Sequence, residues 1–558
     1  MRPVELRVVA RMLDIPLHMV RRWCETGVLP SLSYGGHIYV DEMLLSSALT
    51  EGGKSISPQR LEFATALTEI EAQDLKEVWI PDIVRHADLL QNRFVLISES
   101  IERLRDLRFD SVTSVEVPKT PFFARTGHLL SLHDRLSYHV AVRRFAIAID
   151  RLLPSVVFSS RIDDAVSSYL LKRGVNQWQK WGRYVRRQVK QGNEWLIKTD
   201  LASYFDTVTH EYLLNDLRAL GVSADWLTPL EAMLSQWETS PGHGLVQGPD
   251  VSRVLGNFYM LPVDRAMLEA GFNYSRYMDD VRIVAATRSQ SIAAMRLFER
   301  ECKKRGLIAS SQKTSLLMGK DALNADLNSM RDHITYLFDT RRYRQARPLL
   351  RAMLNQELKK SEGLDLRATK FSLYRLSRIR DSKLIEEVLG RLDALSPVAH
   401  VVAEYLSHFV DQIEVRQAID AYLTNEESSL DPYVMYYLFA LMLACPRESI
   451  STAWVDAARS VARDRNKHDY LRIIATNVLA RKRDSVDLAW IRTSAQNDND
   501  HAMIRGYLVA LKRAGQLDLS TVNRYAKRGP SLARVIGYLT SVTKLPSLVN
   551  LHRELFAD

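Results

Sequence analysis

Two apolar runs that each end in carboxylates constrain this chain more than any other feature. The first is Trp195-Leu196-Ile197-Lys198-Thr199-Asp200, strand-like in its residues, with Asp200 at its tip. The second is Tyr277-Met278-Asp279-Asp280, which leads into Val281, Ile283 and Val284. Adjacent Asp279 and Asp280 repel each other unless a cation sits between them. Neighbours along a straight strand point to opposite faces, so the tetrad needs a tight turn if Asp279 is to face Asp200. Carboxylate oxygens suit hard divalent cations, and nucleotidyl transfer needs such cations to clamp the attacking and leaving oxygens of an in-line displacement. Asp200, Asp279 and Asp280 are therefore the candidate catalytic residues and metal ligands.

At 558 residues the chain exceeds one core, and two to four domains are expected. Its net charge of +10 suits a polyanionic partner without specifying one. Cys24, Cys302 and Cys445 have no paired spacing, which argues against a disulfide framework or a structural zinc and fits a reducing cytoplasm. The N-terminus lacks a charged-then-apolar signal pattern. The apolar run from Tyr433 to Cys445 is too short to span a bilayer and reads as a buried helix, so no membrane association is expected.

Residues 1–50 form a module of their own. Helical spacing runs through Val8, Val9, Ala10, Met12 and Leu13, breaks at Asp14-Ile15-Pro16, and resumes through Met19, Val20 and Trp23. Gly27 and Pro30 stop the second helix, and a Gly35-Gly36 turn separates extended pieces at Leu32 to Tyr34 and His37 to Val40. This pattern resembles the winged helix-turn-helix of MerR-type regulators and excisionases. Its implied partners are DNA, RNA or a protein. A linker follows from Glu51 to Pro58, then a helical connector over residues 60–115. Residues 116–321 alternate short strands and helices. From 322 to 558 the strand signals fade into amphipathic helices, among them Phe371 to Ile379, Ser382 to Leu392, Pro397 to Phe409, Val415 to Tyr422 and Asp431 to Leu443. Leucine- and alanine-rich helices joined by short turns suggest a HEAT-like helical repeat.

The Asp200 segment and the Tyr277 tetrad resemble motifs A and C of the reverse transcriptase palm. The resemblance implies an α+β right-hand fingers-and-palm fold ahead of the all-α repeat domain, and an RNA-directed or untemplated DNA polymerase. It implies Mg²⁺, with Mn²⁺ as an alternative, and dNTP substrates. It also implies that the Leu201 carbonyl is a further metal ligand and that Phe205 packs under the incoming sugar as a gate against ribose. Gly244-Leu245-Val246-Gln247-Gly248-Pro249 resembles motif B, a turn opening a helix, with Gln247 and Gly248 at the incoming nucleotide. Val246 and Arg253 stand where that motif usually carries prolines. Gly306 to Thr314 resembles motif D, with Lys313 as a cationic donor beside the leaving pyrophosphate. His133 to Leu136 and Ser159 to Ile162 match the fingers motifs, where Arg161 would fork onto triphosphate oxygens.

A palm followed by helical repeats, without retron or maturase signatures, resembles the abortive-infection reverse transcriptases of the AbiA and AbiK type. That likeness implies phage defence, self-association or a defence partner protein, DNA synthesis primed by a protein hydroxyl, and a non-coding RNA as a further ligand. A templated enzyme of a mobile element and a non-catalytic nucleic-acid-binding regulator are the alternative readings. Two basic stretches fit a phosphate track. One is Lys180, Arg183, Arg186, Arg187 and Lys190, interleaved with Trp178, Trp181 and Tyr184. The other is Arg341, Arg342, Arg344, Arg347 and Arg351. A solvated helix face explains either one equally simply.

Overall fold

The computed structural model describes residues 3–12, 17–25, 32–34, 37–41, 58–76, 78–120, 123–163, 169–324, 329–360, 363–425 and 431–549. Two compact units result: Met1–Val78 with Arg93–Thr113 and His128–Leu327, and Trp79–Asn92 with Ser114–Gly127 and Asn328–Asp558.

The first unit opens with β1 (Pro3–Glu5), α1 (Leu6–Met12), α2 (Leu17–Glu25), β2 (Leu32–Tyr34) and β3 (His37–Asp41). The strands form an antiparallel sheet in the order β1-β3-β2. Two helices followed by a hairpin is the order the sequence suggested. Trp23 is fully buried on α2 while Arg21 is exposed. The expected stop at Gly27 and Pro30, the Gly35-Gly36 turn and the linker over 51–57 lie outside the described residues.

The helices α3 (Pro58–Ala72) and α4 (Arg93–Arg105) come next, and β4 (Thr113–Thr120) and β5 (Phe123–Leu129) pair as a two-stranded ribbon. They are followed by α5 (Leu132–Leu152), α6 (Gly174–Lys190), β6 (Trp195–Thr199), α7 (His210–Ala219), α8 (Ala224–Gln236), α9 (Asp250–Tyr259) and α10 (Leu261–Glu269). The unit closes with β7 (Asn273–Tyr277), β8 (Asp280–Ala285), α11 (Arg288–Lys304), β9 (Ser315–Met318) and α12 (Gly319–Asn324). Four of these strands make an antiparallel sheet in the order β7-β8-β6-β9. Alternation along the strands sorts the sheet into two apolar faces. Leu196 and Val284 share one face with Trp181, Val185 and Val189 of α6 and Ala322 of α12. Ile197, Val281, Ile283 and Tyr274 lie on the other, where α10 and α11 pack.

Among its described residues, the second unit is helical apart from its share of the ribbon. Helices Leu366–Arg378, Ala399–Leu406, Pro432–Ala444, Asp469–Lys482, His501–Ala514 and Pro530–Ser541 pack each on the next. Tyr343–Leu358, Ile385–Leu389, Ile413–Thr424 and Thr452–Arg463 form a second row in the same way. The helix Pro432–Ala444 is apolar all round and is buried from Tyr433 to Met442, as a core helix must be. Two of its hydroxyls, on Tyr436 and Tyr437, donate to the carbonyls of Pro81 at 2.6 Å and Trp79 at 2.8 Å. Arg505 forks onto Asp82 and Asp88 with four hydrogen bonds of 2.7 to 2.9 Å. These bonds tie residues 79–92 to helices far along the chain, whereas the sequence reading placed them in the connector.

The basic row at residues 341–351 is not a free track. Arg347 and Arg351 both pair with the buried Asp381, at 3.0 and 2.6 Å, and only Arg341, Arg342 and Arg344 are exposed. Among the described residues, no helix is long and apolar enough to cross a membrane.

Candidate active site

The register of the four-stranded sheet brings the two carboxylate segments together. Thr199 pairs with Val281 across β6 and β8, so Asp200 and Asp280, one step further on each strand, meet at the same sheet end. Tyr277 pairs with Asp280, which leaves Met278 and Asp279 as a two-residue hairpin turn. Met278 has φ 59°, the left-handed conformation that the first position of such a turn demands. That conformation costs an L residue roughly 1–2 kcal/mol. Burial of Met278, and a 3.4 Å hydrogen bond from Arg276 Nη1 to its carbonyl, hold it there.

The carboxylates crowd one another. Burial raises the Asp279 carboxyl first, with further upward pushes from Asp280 and Asp200 that outweigh its backbone hydrogen bond and Lys313, and it reaches about 6. Asp200 is buried; one oxygen, Oδ2, forms an ion pair with Lys313 Nζ, and the other, Oδ1, is buried with no hydrogen-bond partner. Lys313 is largely exposed on the loop before β9, and it supplies the positive charge at Asp200. Thr314 anchors that loop: its hydroxyl donates to the Ser310 carbonyl at 2.6 Å and lies 2.7 Å from the Thr199 hydroxyl. Among the described residues, no three His, Cys, Asp or Glu side chains are gathered as a ready metal cage.

The Leu201 carbonyl is oriented by the strand ladder. Ala202 N donates to Ile308 O at 2.8 Å and Ser310 N donates to Asp200 O at 2.8 Å. Residues 200 and 202 thus face the chain on the β9 side. Alternation turns the Leu201 carbonyl toward β8, the side of the Met278-Asp279 turn.

Phe205 lies in a 3₁₀ turn, Tyr204–Thr207, entered through Ser203 at φ 46°. Its ring is half-buried, 5.5 Å edge-on from Tyr204. A side chain at Gly256 of α9 would meet Tyr204 at 3.3 Å, Phe205 at 3.5 Å and Met278 Sδ at 3.5 Å. Phe205 and the Met278 side chain thus both lie against α9 at Gly256.

Gln247 and Gly248 form the turn ahead of α9. Gly248 has φ 135°, which requires glycine. The Gln247 side chain donates to Asp206 Oδ1 at 3.1 Å. Its backbone N–H donates to His128 Nδ1 at 3.0 Å, and His128 N donates back to its carbonyl at 3.3 Å. Burial lowers the His128 pKa, which keeps Nδ1 an acceptor. Leu245 N to Phe205 O and Gly244 N to Val208 O, at 2.8 and 2.9 Å, zip this segment to the one after Asp200.

Arg161, expected at the triphosphate, is engaged within its own loop. Its guanidinium donates to both carboxylate oxygens of Asp150, at 2.7 and 3.2 Å. It also donates to the carbonyls of Asp150, Pro154 and Val157 at 3.0 to 3.2 Å. It closes a loop and has no fork left for a triphosphate.

Sequence reasoning missed Arg276, which is fully buried. It clasps Asp264 through two 2.7 Å bonds and also donates to Asn257 Oδ1 at 2.7 Å and to the Asn257 carbonyl at 3.0 Å. Asn257 Nδ2 in turn donates to Ser159 O at 2.7 Å. One guanidinium thus links the motif B helix, α10 and the carboxylate turn. His128 and Asp206 were missed as supports of Gln247. A buried Arg beside the tetrad carries no sequence signal other than its place in a strand.

Residues 140–348 match the family model described as reverse transcriptase (RNA-dependent DNA polymerase). Residues 140–348 thus carry a reverse transcriptase domain, the domain of RNA-directed DNA polymerases. Among solved structures, the chain is similar to a partial Cas6-RT-Cas1–Cas2 complex at 21% identity and a TM-score of 0.26, covering 44% of this chain and 40% of that one. It is also similar to telomerase from Candida albicans, solved with a fragment of telomeric RNA, at 10% identity and a TM-score of 0.26, covering 65% of this chain and 67% of that one. The chain thus spans well under half the length of the first. No curated protein matches it.

Proposed function

We propose that this domain joins deoxynucleotides to a hydroxyl primer by divalent-metal-dependent transfer, with Asp200, Asp279, Asp280 and the Leu201 carbonyl as the ion-binding set. The orphaned, buried Asp200 Oδ1 beside a raised Asp279 carries this reading, because it leaves an all-oxygen site short of positive charge. Mg²⁺ or Mn²⁺ bound there would neutralise the carboxylates and activate the primer hydroxyl for attack on the α-phosphorus. Gln247 and the Gly248 turn place the nucleotide, and Phe205 excludes a ribose 2′-hydroxyl by bulk. Lys313, released from Asp200 as the ion arrives, gives a proton or its charge to the departing pyrophosphate.

Around this chemistry we place a MerR-like helix-turn-helix module at residues 1–50 and a HEAT-like array after residue 321, supported by the two rows of stacked helices. The sequence divides the rest into a connector, 60–115, and fingers and palm, 116–321, of which residues 79–92 and 114–127 belong with the helical array. The biological reading is cytoplasmic antiphage defence of the AbiA and AbiK type. Its partners are DNA, a non-coding RNA, a protein primer and further copies of the chain or a defence partner.

The test compares wild type with Asp200→Asn and Asp279→Asn in a dNTP incorporation assay with Mg²⁺ or Mn²⁺. Both variants should lose incorporation and keep their melting profile, and normal incorporation by either removes the assignment. Sequencing the nucleic acid that co-purifies separates templated from untemplated synthesis. Plaque counts with wild type and Asp279→Asn test defence: protection that survives in the variant means polymerisation is not its mechanism.

A further inference from the structure

We propose that the outer face of α6 is a track for the sugar-phosphate backbone of nucleic acid running to or from the carboxylate hairpin; the proposal rests on the polymerase reading above. The 17-residue helix carries Lys180, Arg183, Arg186, Arg187 and Lys190 and not one carboxylate. Lys180, Arg183, Arg187 and Lys190 follow a three-four-three spacing that puts them on one face, and all four are exposed. Among the described residues, none of the four has a carboxylate partner, whereas Arg351, Arg459 and Arg505 each pair with an aspartate. Arg187 alone rests on a ring, 5.7 Å from the Tyr184 centroid.

The opposite face of α6 fixes what kind of contact this can be. Trp181 is buried, donates to Ser275 Oγ at 2.9 Å, and carries the Arg282 guanidinium 4.7 Å from its ring. Trp178 and Trp181 pack against Tyr277 at 4.9 and 5.9 Å. The tryptophans are thus committed to the sheet and offer no platform for stacking bases. From Lys180 onward the exposed residues of the helix are these four cations, and charge recognises phosphates and ignores sequence.

Position along the axis gives the track a direction. The Tyr277 hydroxyl donates to the Gly174 carbonyl at 3.0 Å, so the first residue of α6 adjoins the catalytic tetrad. At about 1.5 Å per residue, the cations run from roughly 9 to 24 Å beyond that point. Their span of about 15 Å covers four to five phosphates of one strand, at about 3.4 Å each.

The test is fluorescence anisotropy on the full chain, with a labelled 30-nucleotide and a labelled 5-nucleotide single-stranded DNA, across a salt series. The variants are a quadruple Lys180→Gln, Arg183→Gln, Arg187→Gln, Lys190→Gln and a double Arg183→Gln, Arg187→Gln. The quadruple variant should weaken 30-mer binding at least tenfold and flatten the slope of log K against log salt by about 3, since each single-strand phosphate contact contributes about 0.7. The double variant should give about half that change. The 5-mer, whose four phosphates fit on the track by themselves, should weaken as well. Incorporation of dNTP by Asp279→Asn tests the polymerase reading separately, so its failure and failure of the track give different results. Unchanged 30-mer affinity and salt slope in a folded quadruple variant overturns the proposal. Retained DNA binding alongside lost binding to phosphatidylserine vesicles also overturns it and assigns the face to a membrane.

Discussion

Arg276→Met should damage this enzyme through its core, and the structure says by how much. The substitution keeps the length of the side chain and removes the five hydrogen bonds the guanidinium gives to Asp264, Asn257 and Met278. Asp264 is fully buried and would keep only the Tyr274 hydroxyl, at 2.9 Å. Breaking a buried pair by removing one partner typically costs about 3–5 kcal/mol, because the stranded charge has no water. If β7 and β8 exchange their amide hydrogens through unfolding of the first unit, protection there should fall by roughly 10² to 10⁴. Asp264→Asn combined with Arg276→Met strands no charge, so the double variant should recover part of the loss. Incorporation should fall as well, with kcat more affected than KM, since the Met278 carbonyl that shapes the Asp279 turn loses its donor. The measurement is peptide-resolved hydrogen exchange alongside steady-state kinetics. A change in hairpin protection below fivefold for the single variant, or a double variant worse than the sum of its parts, would refute the reasoning.

Phe205→Ala should admit ribonucleotides in competition assays while the protein stays folded, because the ring is only half-buried; a folded variant that still rejects them removes the gate. Gly256→Ala adds a methyl 3.3 Å from Tyr204 and 3.5 Å from Phe205 and Met278, so incorporation should drop with a destabilisation of about 1–3 kcal/mol read by thermal melting. Glu69 concerns acid stability. Burial pushes its carboxyl up, but the His139 bond at 2.8 Å and Arg143 at 3.0 Å outweigh that and hold it below its ordinary value. A depressed folded pKa contributes stability that is complete above the unfolded value, near 4.3, and is lost as pH falls toward the folded one. Glu69→Gln should therefore be less stable than wild type at pH 7, with a difference that shrinks below about pH 4.3 in urea melts.

What could be read from the sequence follows how local each cause is. The Asp200 strand, the Asp279 turn and the Gln247-Gly248 turn were legible because carboxylates at strand tips and a glycine before a helix are demands of chemistry and backbone geometry. Those demands show within a few residues. The helices after residue 365 were legible from periodicity, to within a few residues at their ends. Arg161 misled, since an arginine in the right motif slot looks the same whether it meets a phosphate or Asp150. The partner, not the residue, decides its role, and the ten residues between them, most of them loop, hide that partner. Arg276 was invisible for the opposite reason: its neighbours Asn257 and Asp264 lie on two other helices, and only the packed sheet makes the three a unit. Residues 79–92 went to the wrong segment because hydroxyls and a guanidinium from residues 436, 437 and 505 claim them. The same logic separates the two basic rows, which are equivalent as sequence. In one, Asp381 folds in to neutralise Arg347 and Arg351; in the other, α6 brings no acid and its cations keep their charge for something else.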